Sequence, residues 1–572
     1  MAIHNTDIAR IFNQVADLLE ISNENQFRVR AYRNAARTME SLSHEAVVLI
    51  KEGQDLTSIP GIGKDLAGKI STIVETGSLP LLDHLKEKLP GELIKLLEVE
   101  GLGPKKVSAL YNKLGIGSLD ALKEAAESGK IRKLSGFGAK SEQNILEDLR
   151  RPREGADRVK LAEAEKIAES LEQYLAEIRE VKKVTIAGSY RRRKETVGDL
   201  DVLVACQKWE PVIDRFLSFE DVARILSRGK TRSSVILSSG LQVDLRIIPE
   251  ESYGAALHYF TGSKAHNIAI RKIAMDQGLK INEYGVFQDG EQLAGATEED
   301  LYRKIGLPYI EPELREDRGE IEAAYRNFLP ELITISDIKG DLHCHTRATD
   351  GMNTLDQMAE AARKMNYEYL AITDHSQRVT VANGLDEKRL REEIEEIDEL
   401  NEKIRAIKLL KGIEVDILKD GSLDLPDSVL KELDVVVGSV HYYFNLSQEE
   451  QTERLVRAMD NKYLNIIGHP TGRMIGTRNP YPLDMERVIR CAGDRGVHLE
   501  LNAQPDRLDL IDVHLKAARE MGVLIAISTD AHLAQNLQFM RFGINQARRG
   551  WLEAENVLNT RPLAELQKIL KR

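Results

Sequence analysis

Cysteine and tryptophan are scarce in this 572-residue chain, with three of the first and two of the second. Cys206, Cys344 and Cys491 show no CxxC spacing and no disulfide framework. No apolar run reaches the ~18–20 residues that a membrane span needs. The first twenty residues are amphipathic and carry acids, unlike a signal peptide, so a reducing, cytoplasmic setting without a membrane is expected. A positive balance is missing too: 80 Lys and Arg face 92 Asp and Glu, a net charge of −12. Neither part is basic, since residues 1–340 carry 49 basic and 54 acidic side chains and residues 341–572 carry 31 and 38. Taken alone such a balance would exclude nucleic acid, but net charge is a sum and binding is local.

Hydrophobic residues make up 42% of the chain and charged ones 30%, the balance of a globular protein. At ~100–200 residues per domain the length corresponds to about three to five domains. Residues 1–150 read as helical, with Ile8, Ile11, Phe12, Val15, Leu18 and Leu19 at helical spacing. Three breaks share one pattern: Ile59-Pro-Gly-Ile-Gly63, Val99-Glu-Gly-Leu-Gly103 and Leu134-Ser-Gly-Phe-Gly138. Each precedes a helical stretch (Lys64–Ile73, Pro104–Leu114, Ala139–Leu149). Paired glycines permit positive φ and close backbone approach, and the following helix offers free N–H groups to a phosphate. One such turn is most simply a helix-hairpin connection without a ligand. Three favour phosphate gripping through Gly61, Gly63, Gly101, Gly103, Gly136 and Gly138. They resemble helix-hairpin-helix motifs, which hold DNA backbones without reading sequence.

After a helical stretch at 160–179 the pattern becomes α/β, with strand-like runs at Val181–Gly188, Val202–Ala205, Ser234–Leu237 and Leu241–Ile248. The segment Gly188-Ser-Tyr-Arg-Arg-Arg-Lys-Glu-Thr-Val-Gly-Asp-Leu-Asp201 carries the strongest signal. Asp199 and Asp201 share one strand face and repel unless a hard cation such as Mg²⁺ or Mn²⁺ lies between them. Asp244, on an alternating run, supplies a third carboxylate. Three carboxylates can hold two metals, one at the attacking oxygen and one at a triphosphate. Gly188-Ser189 offers phosphate donors, and Arg191–Lys194 adds four cations. A lone DxD is usually a surface turn; the combination resembles the nucleotidyltransferase superfamily.

Tyr259-Phe-Thr-Gly-Ser-Lys-Ala-His-Asn267, Arg271 and Ile281-Asn-Glu-Tyr284 then look like the thumb of the X-family, DNA polymerase beta-like enzymes. That resemblance, from the first helix to about residue 320, implies a set of roles. Asp199, Asp201 and Asp244 would be the catalytic metal ligands, and Ser189 and Arg192 would meet the triphosphate of a dNTP. Tyr259 and Phe260 would face the sugar of the nucleotide, with Gly262 also in the nucleotide site, Asn267 would reach the minor-groove edge and Arg271 the template. Glu283 and Tyr284 would support thumb closure, and Lys264 replaces an aspartate of the vertebrate pattern. The first domain is similar to the family's lyase domain, with Lys69 at the Schiff-base position and Tyr32 beside it. Asp65 and Arg28 stand where such lyases carry lysines, so a 5′-phosphate-binding pocket is the alternative.

Residues 309–338, acidic and containing Pro312 and Pro330, read as a helical linker. Beyond it strands and helices alternate, as in a parallel sheet or barrel. Eight of the 13 histidines lie here, and strand ends repeatedly carry His, Asp or Glu. Functional groups of such barrels collect at those ends. The set is His343, His345, Asp350, His375, Glu414, His441, His469, Asp530 and His532, with His498 and His514 left to structural roles. Nine mixed N/O ligands exceed one metal's needs, so two to three Zn²⁺ or Mn²⁺ ions are expected. Asp341-Leu-His-Cys-His345, Thr373-Asp-His375, Gly468-His-Pro470 and Ser528-Thr-Asp-Ala-His532 resemble the PHP (polymerase and histidinol phosphatase) phosphoesterases.

The expected organisation is multidomain: a lyase-like, DNA-binding helical domain at 1–85 and a fingers-type helix-hairpin-helix domain at 86–155. An α/β nucleotidyltransferase palm follows at 156–250, a thumb at 251–315, a linker at 316–338 and a PHP barrel, a distorted (β/α)7, at 339–572. The resemblances imply a monomeric DNA polymerase that fills gaps in primer–template DNA during repair, with 3′→5′ exonuclease and AP endonuclease chemistry in the barrel. The rival readings are a nuclease whose polymerase half only grips DNA, a histidinol-phosphatase-like phosphoesterase, and a non-catalytic end-binding scaffold.

Overall fold

The computed structural model describes residues 5–42, 46–51, 53–59, 61–89, 93–97, 99, 102–134, 136–138, 141–143, 145–146 and 158–571. It has two compact units, divided between Asp157 and Arg158.

The first unit is helical, and its helices follow the apolar spacing. Asn5–Ile21 and Gln26–Ser41 bury Phe12 against Tyr32, whose rings meet edge to face with centroids 5.6 Å apart. Ser108 Oγ donates to the Ile21 carbonyl at 2.7 Å and ties the second helical group to the first. The helix expected at Lys64–Ile73 runs one turn further, to Thr76, before Gly77 ends it in the left-handed conformation. Pro104–Leu114 is a helix with the expected bounds.

The palm is a five-stranded sheet. Its strands are β1 (Val181–Ile186), β2 (Asp199–Cys206), β3 (Val222–Ser227), β4 (Arg232–Leu237) and β5 (Gln242–Ile248), in the order β1-β2-β5-β4-β3. β2 and β5 are parallel, and Asp201 stands directly opposite Asp244. β1 ends two residues before its expected limit, because Gly188–Arg191 turns into a short helix. β3 left no sequence signal: it is a half-buried edge strand interrupted by Arg224. The thumb carries helices Tyr253–Thr261 and Lys264–Asp276 beside a small sheet (Lys280–Asn282, Gly285–Gln288, Glu291–Ala294).

One buried carboxylate locks palm to thumb. Glu298 accepts from Arg191 at 3.0 and 2.6 Å and from Arg315 at 2.5 Å. Burial alone would raise its pKa, but the two guanidiniums outweigh burial and hold it at about 2. A depressed carboxylate stabilises the fold above its unfolded pKa, and that contribution fades as pH falls towards the folded value. Glu298→Gln therefore costs about 3–5 kcal/mol at pH 7 by stranding buried cations. Its thermal melts converge with wild type as pH falls from 4.5 towards 2; a gap that persists at the lowest pH contradicts this.

The last domain is a parallel barrel of seven strands in sequential order: β6 (Gly340–Asp341), β7 (Tyr369–Ile372), β8 (Lys408–Asp416), β9 (Val435–Ser439), β10 (Ile466–Ile467), β11 (His498–Asn502) and β12 (Ile525–Ser528). The ring closes where the His345 amide donates to the Ala531 carbonyl at 2.9 Å and Asp341 accepts from the Thr529 amide at 3.2 Å. Segment 316–338, expected as a linker, is a packed connector. Its helix Glu320–Tyr325 is short, Glu320 is fully buried, and Leu332 shares a core with Trp551 of the barrel domain. Leu508 and Phe542 likewise enter the palm core, so palm, thumb and barrel form one body.

Candidate active sites

The cross-strand register of β2 and β5 builds the first site. Neighbours across a sheet share a face, and so do residues two apart on a strand. Asp199, Asp201 and Asp244 therefore emerge side by side. Asp244 is buried and receives Arg232 at 2.9 Å. Burial first, then repulsion from Asp199, pushes Asp201 up to about 7, and Asp199 is raised as well. A divalent cation between these oxygens would relieve the repulsion, so the residues fit a metal. Gly188 closes the floor: its φ is +64°, and a Cβ there would lie 3.1 Å from Asp201 Oδ2.

The groups expected around the nucleotide converge on Arg192. Its guanidinium donates to the Thr261 carbonyl and to Glu316 at 3.1 Å, and a Cβ on Gly262 would approach it to 3.2 Å. Ser189 sits in the turn below, half-buried. Tyr259 and Phe260 meet edge to face at 4.9 Å; Arg271 lies over Tyr259 and Arg246 over Phe260. Asn267 donates to the Tyr259 main-chain carbonyl at 2.7 Å, which holds its side chain against the end of the preceding helix. Lys264 is exposed at the helix start. Glu283 and Tyr284 form the turn between two thumb strands, with Tyr284 half exposed. The run Arg191–Lys194 does not present four cations to a ligand. Arg191 is committed to Glu298, and Arg193 packs over Tyr190 with Glu165 at 3.7 Å. Lys194 lies 4.0 Å from Glu316.

The glycine turns of the first unit repeat in detail. Ile62 donates to the Ile59 carbonyl at 3.0 Å, Leu102 to Val99 at 2.9 Å and Phe137 to Leu134 at 3.0 Å. Each central apolar residue is buried, which anchors the turn. Gly61 and Gly136 take positive φ, while Gly63 and Gly103 cap the next helices with no side-chain acceptor on the first amides. Open space surrounds Gly63, Gly103, Gly136 and Gly138, as close backbone approach requires. Gly101 lies outside the described residues. Lys69 stands over the Tyr32 ring at 5.3 Å and pairs with Asp65. Burial alone would lower its pKa, but bonds to Asp65 and Tyr32 outweigh burial and raise it. That favours the charged amine, whereas a Schiff-base nucleophile must be neutral.

At the barrel mouth all nine expected ligands meet, delivered by the C-terminal ends of β6 to β10 and β12 and by Asp350 in the loop after β6. Three groups have ligand atoms within 4.8 Å of one another: His345, Asp350, His375 and His532; His343, His345 and Asp530; His375, Glu414 and His441. His469 joins through Glu414, with Nε2 3.0 Å from Oε1. His343 Nε2 and His345 Nδ1 are buried with no hydrogen-bond partner among the described residues, as expected of atoms reserved for metal. Burial alone would lower His375, but Glu414 and Asp350 raise it to about 10. His532 is raised to about 9 against burial by Asp350 and Asp530, and burial lowers His345 to about 4. Asp350, Glu414 and Asp530 fall below their usual range: burial alone would raise them, but the surrounding histidines outweigh it. The mouth holds a cavity of about 210 Å³, and Arg507 is the one cation among its lining residues that is not a histidine. His498 and His514 lie outside the three groups. Cys344 points away, donating to the Ala371 carbonyl at 3.1 Å.

Sequence reading missed the groups that orient these ligands. Glu500 on β11 accepts from His343 Nδ1 at 2.7 Å and from the His469 amide at 2.6 Å. Asp416 sits 3.2 Å from His441 Nδ1, two residues after Glu414 and hence on the same strand face. The signal was a fully buried carboxylate inside an apolar run, in Leu499-Glu-Leu501 and Ile413-Glu-Val-Asp416. Glu500→Gln keeps the shape and removes the charge, so metal retention falls about 10–100-fold. A chelator titration reads this directly, and wild-type retention contradicts it.

Models of five known families match successive segments between residues 3 and 504. They are a helix-hairpin-helix domain (residues 3–79), a SAM-like helix-hairpin-helix tandem (93–151), the DNA polymerase beta palm (158–247) and thumb (256–316), and the PHP domain (341–504). The chain is 41% identical to the DNA polymerase/3′-5′ exonuclease PolX of Bacillus subtilis, over 100% of both proteins. The chain belongs to the PolX family of X-family DNA polymerases. Its barrel is also 32% identical to a protein of Thermoanaerobacter pseudethanolicus named as a probable phosphatase, over 38% of this chain and 89% of that one. DNA polymerase lambda of Rattus norvegicus is 26% identical over 51% of this chain and 53% of its own length. Within a PolX protein the two constellations fall in separate domains: the carboxylates in the palm, the histidines in the PHP barrel. No described helix is long and apolar enough to cross a membrane.

Proposed function

We propose that this PolX protein is a monomeric, cytoplasmic DNA polymerase that fills short gaps during DNA repair and trims 3′ ends with its barrel. The facing carboxylates Asp201 and Asp244, with Asp199 beside them, carry the polymerase reading. They hold Mg²⁺ or Mn²⁺, which would neutralise charge on the attacking 3′ oxygen and the leaving pyrophosphate. Ser189 and Arg192 take the triphosphate of the dNTP. Tyr259, Phe260 and Gly262 take its sugar, Asn267 the minor-groove edge and Arg271 the template strand. The glycine turns hold the DNA backbone through main-chain amides, which needs no basic surface. The first unit's Lys69 and Tyr32 then act as a 5′-phosphate grip, with lyase chemistry disfavoured by the charged amine.

In the barrel, the three ligand groups would hold two to three Zn²⁺ or Mn²⁺ ions, which would supply an activated water against a phosphodiester. Arg507 at the cavity wall supplies positive charge to a phosphate. Cleavage at abasic sites would use the same groups. The likeness of the barrel to a phosphatase-named protein gives a second reading, a small-molecule phosphoesterase. Recessed 3′ ends and histidinol phosphate, offered to the full chain with Mn²⁺, separate the two. Rapid 3′ shortening with little histidinol phosphate turnover is expected, and the reverse order would overturn the exonuclease assignment.

A further inference from the structure

A charge network under the nucleotide site draws in the barrel. Arg549, the last residue of helix Met540–Arg549, is 2% exposed. It donates to the Arg192 carbonyl at 2.7 Å, to Glu316 at 3.0 Å and to Asp512 at 2.6 Å. Glu316 in turn accepts from Arg192 Nε at 3.1 Å. Arg318 pairs with Asp512 at 3.0 Å, and Lys194 lies 4.0 Å from Glu316. Four cations thus surround two carboxylates, a positive surplus facing the palm. A barrel arginine thereby fixes the main chain of Arg192 directly and its side chain through Glu316.

From this geometry we propose that Arg549 is a positioning residue for nucleotide binding: the PHP barrel sets the arginine of the polymerase that meets the triphosphate. The proposal rests on the reading of Arg192 given above. Docking of the barrel does not need this contact. Arg473–Glu195, Arg548–Glu313 and Arg541–Glu165 are separate ion pairs between barrel and polymerase. None of them ends on Arg192. Arg549 does, with the planar fork that serves several acceptors at once. A loosened Arg192 costs nucleotide affinity because an unfixed donor must be ordered when the ligand binds.

The test is single-nucleotide extension by the full chain, with KM for dNTP and kcat measured separately, and with 3′-end digestion read in parallel as a report on barrel folding. The variants are Arg192→Ala, Glu316→Gln, Arg549→Met, Arg549→Lys and Arg541→Ala. Arg549→Met is expected to raise KM about tenfold and to change kcat less than about threefold, the split that marks lost binding. Glu316→Gln moves KM the same way. Arg549→Lys, which keeps the charge and loses the fork, gives a smaller rise. Arg541→Ala breaks a docking pair of a half-exposed arginine with buried Glu165 and leaves KM unchanged. Should Arg549→Met lose digestion through misfolding, Arg549→Lys and Glu316→Gln decide. If Arg192→Ala raises KM while Glu316→Gln and both Arg549 variants match wild type, the positioning role is wrong. If Arg192→Ala itself leaves KM unchanged, the reading of Arg192 fails first. Equal losses in KM, kcat and digestion for the Arg549 and Arg541 variants would reduce Arg549 to a docking contact and overturn the proposal.

Discussion

Asp201→Ala abolishes primer extension and leaves 3′-end digestion at its wild-type rate. The residue occupies the centre of its site, opposite Asp244 on β5, two residues from Asp199 on the same face and above Gly188. Metal clamps on a phosphoryl transfer are worth several kcal/mol. At ~1.4 kcal/mol per decade, extension falls at least about 10³-fold. Stability moves the other way. Burial and the neighbouring carboxylates raise Asp201 to about 7, so the metal-free site stores repulsion that the substitution removes. The variant therefore melts no lower than wild type without metal, as expected where function costs stability. A primer-extension time course and a thermal melt check both halves. Extension near the wild-type rate would remove Asp201 from the active site.

Glu414→Gln has the opposite selectivity. Its carboxylate is the hub of the barrel mouth: His375 Nδ1 lies at 2.6 Å, His469 at 3.0 Å, His441 at 3.3 Å, His343 at 3.6 Å and His345 at 3.7 Å. Removing the charge leaves five imidazoles without the anion between them. Two of the three ligand groups contain Glu414 or share a histidine with it, so more than one metal is lost. Digestion falls at least about 10³-fold by the same arithmetic. Extension is unchanged, because Glu414 lies in the PHP barrel and the palm carboxylates do not depend on it. Elemental analysis of the purified variant should show the missing metal, and a full complement with normal digestion would contradict the assignment.

Much of both sites was legible because it is local. The DxD pair lies within three residues on one strand, and most barrel ligands follow an apolar run within a few residues. Asp244 was legible too, since an acid on an alternating apolar run has few other reasons to be there. What stayed hidden depends on pairs far apart in sequence. Arg191 meets Glu298 across 107 residues, His343 meets Glu500 across 157 and Arg549 meets Glu316 across 233. No periodicity encodes such partners; they appear only when helices and strands pack. The four cations of Arg191–Lys194 illustrate this: local composition made them one phosphate-binding group, while packing divided them among separate carboxylates and a ring. The same reason turned an acidic stretch at 316–338 from a spacer into a packed connector: Glu316 is held by Arg192 of the palm and Arg549 of the barrel, and Glu320 by His266 of the thumb. The net charge of −12 sorts in the same way. Several acids are buried partners of cations or lie in the proposed metal sites, and the groups expected to hold DNA are main-chain amides that no charge count includes.

The most direct test of a two-site enzyme is one time course on a duplex with a single-nucleotide gap, with Mn²⁺, with and without the complementary dNTP. With the nucleotide, the primer should gain one residue; without it, the same primer should shorten from its 3′ end. Shortening in both reactions, with no extended product at any time, would contradict the account.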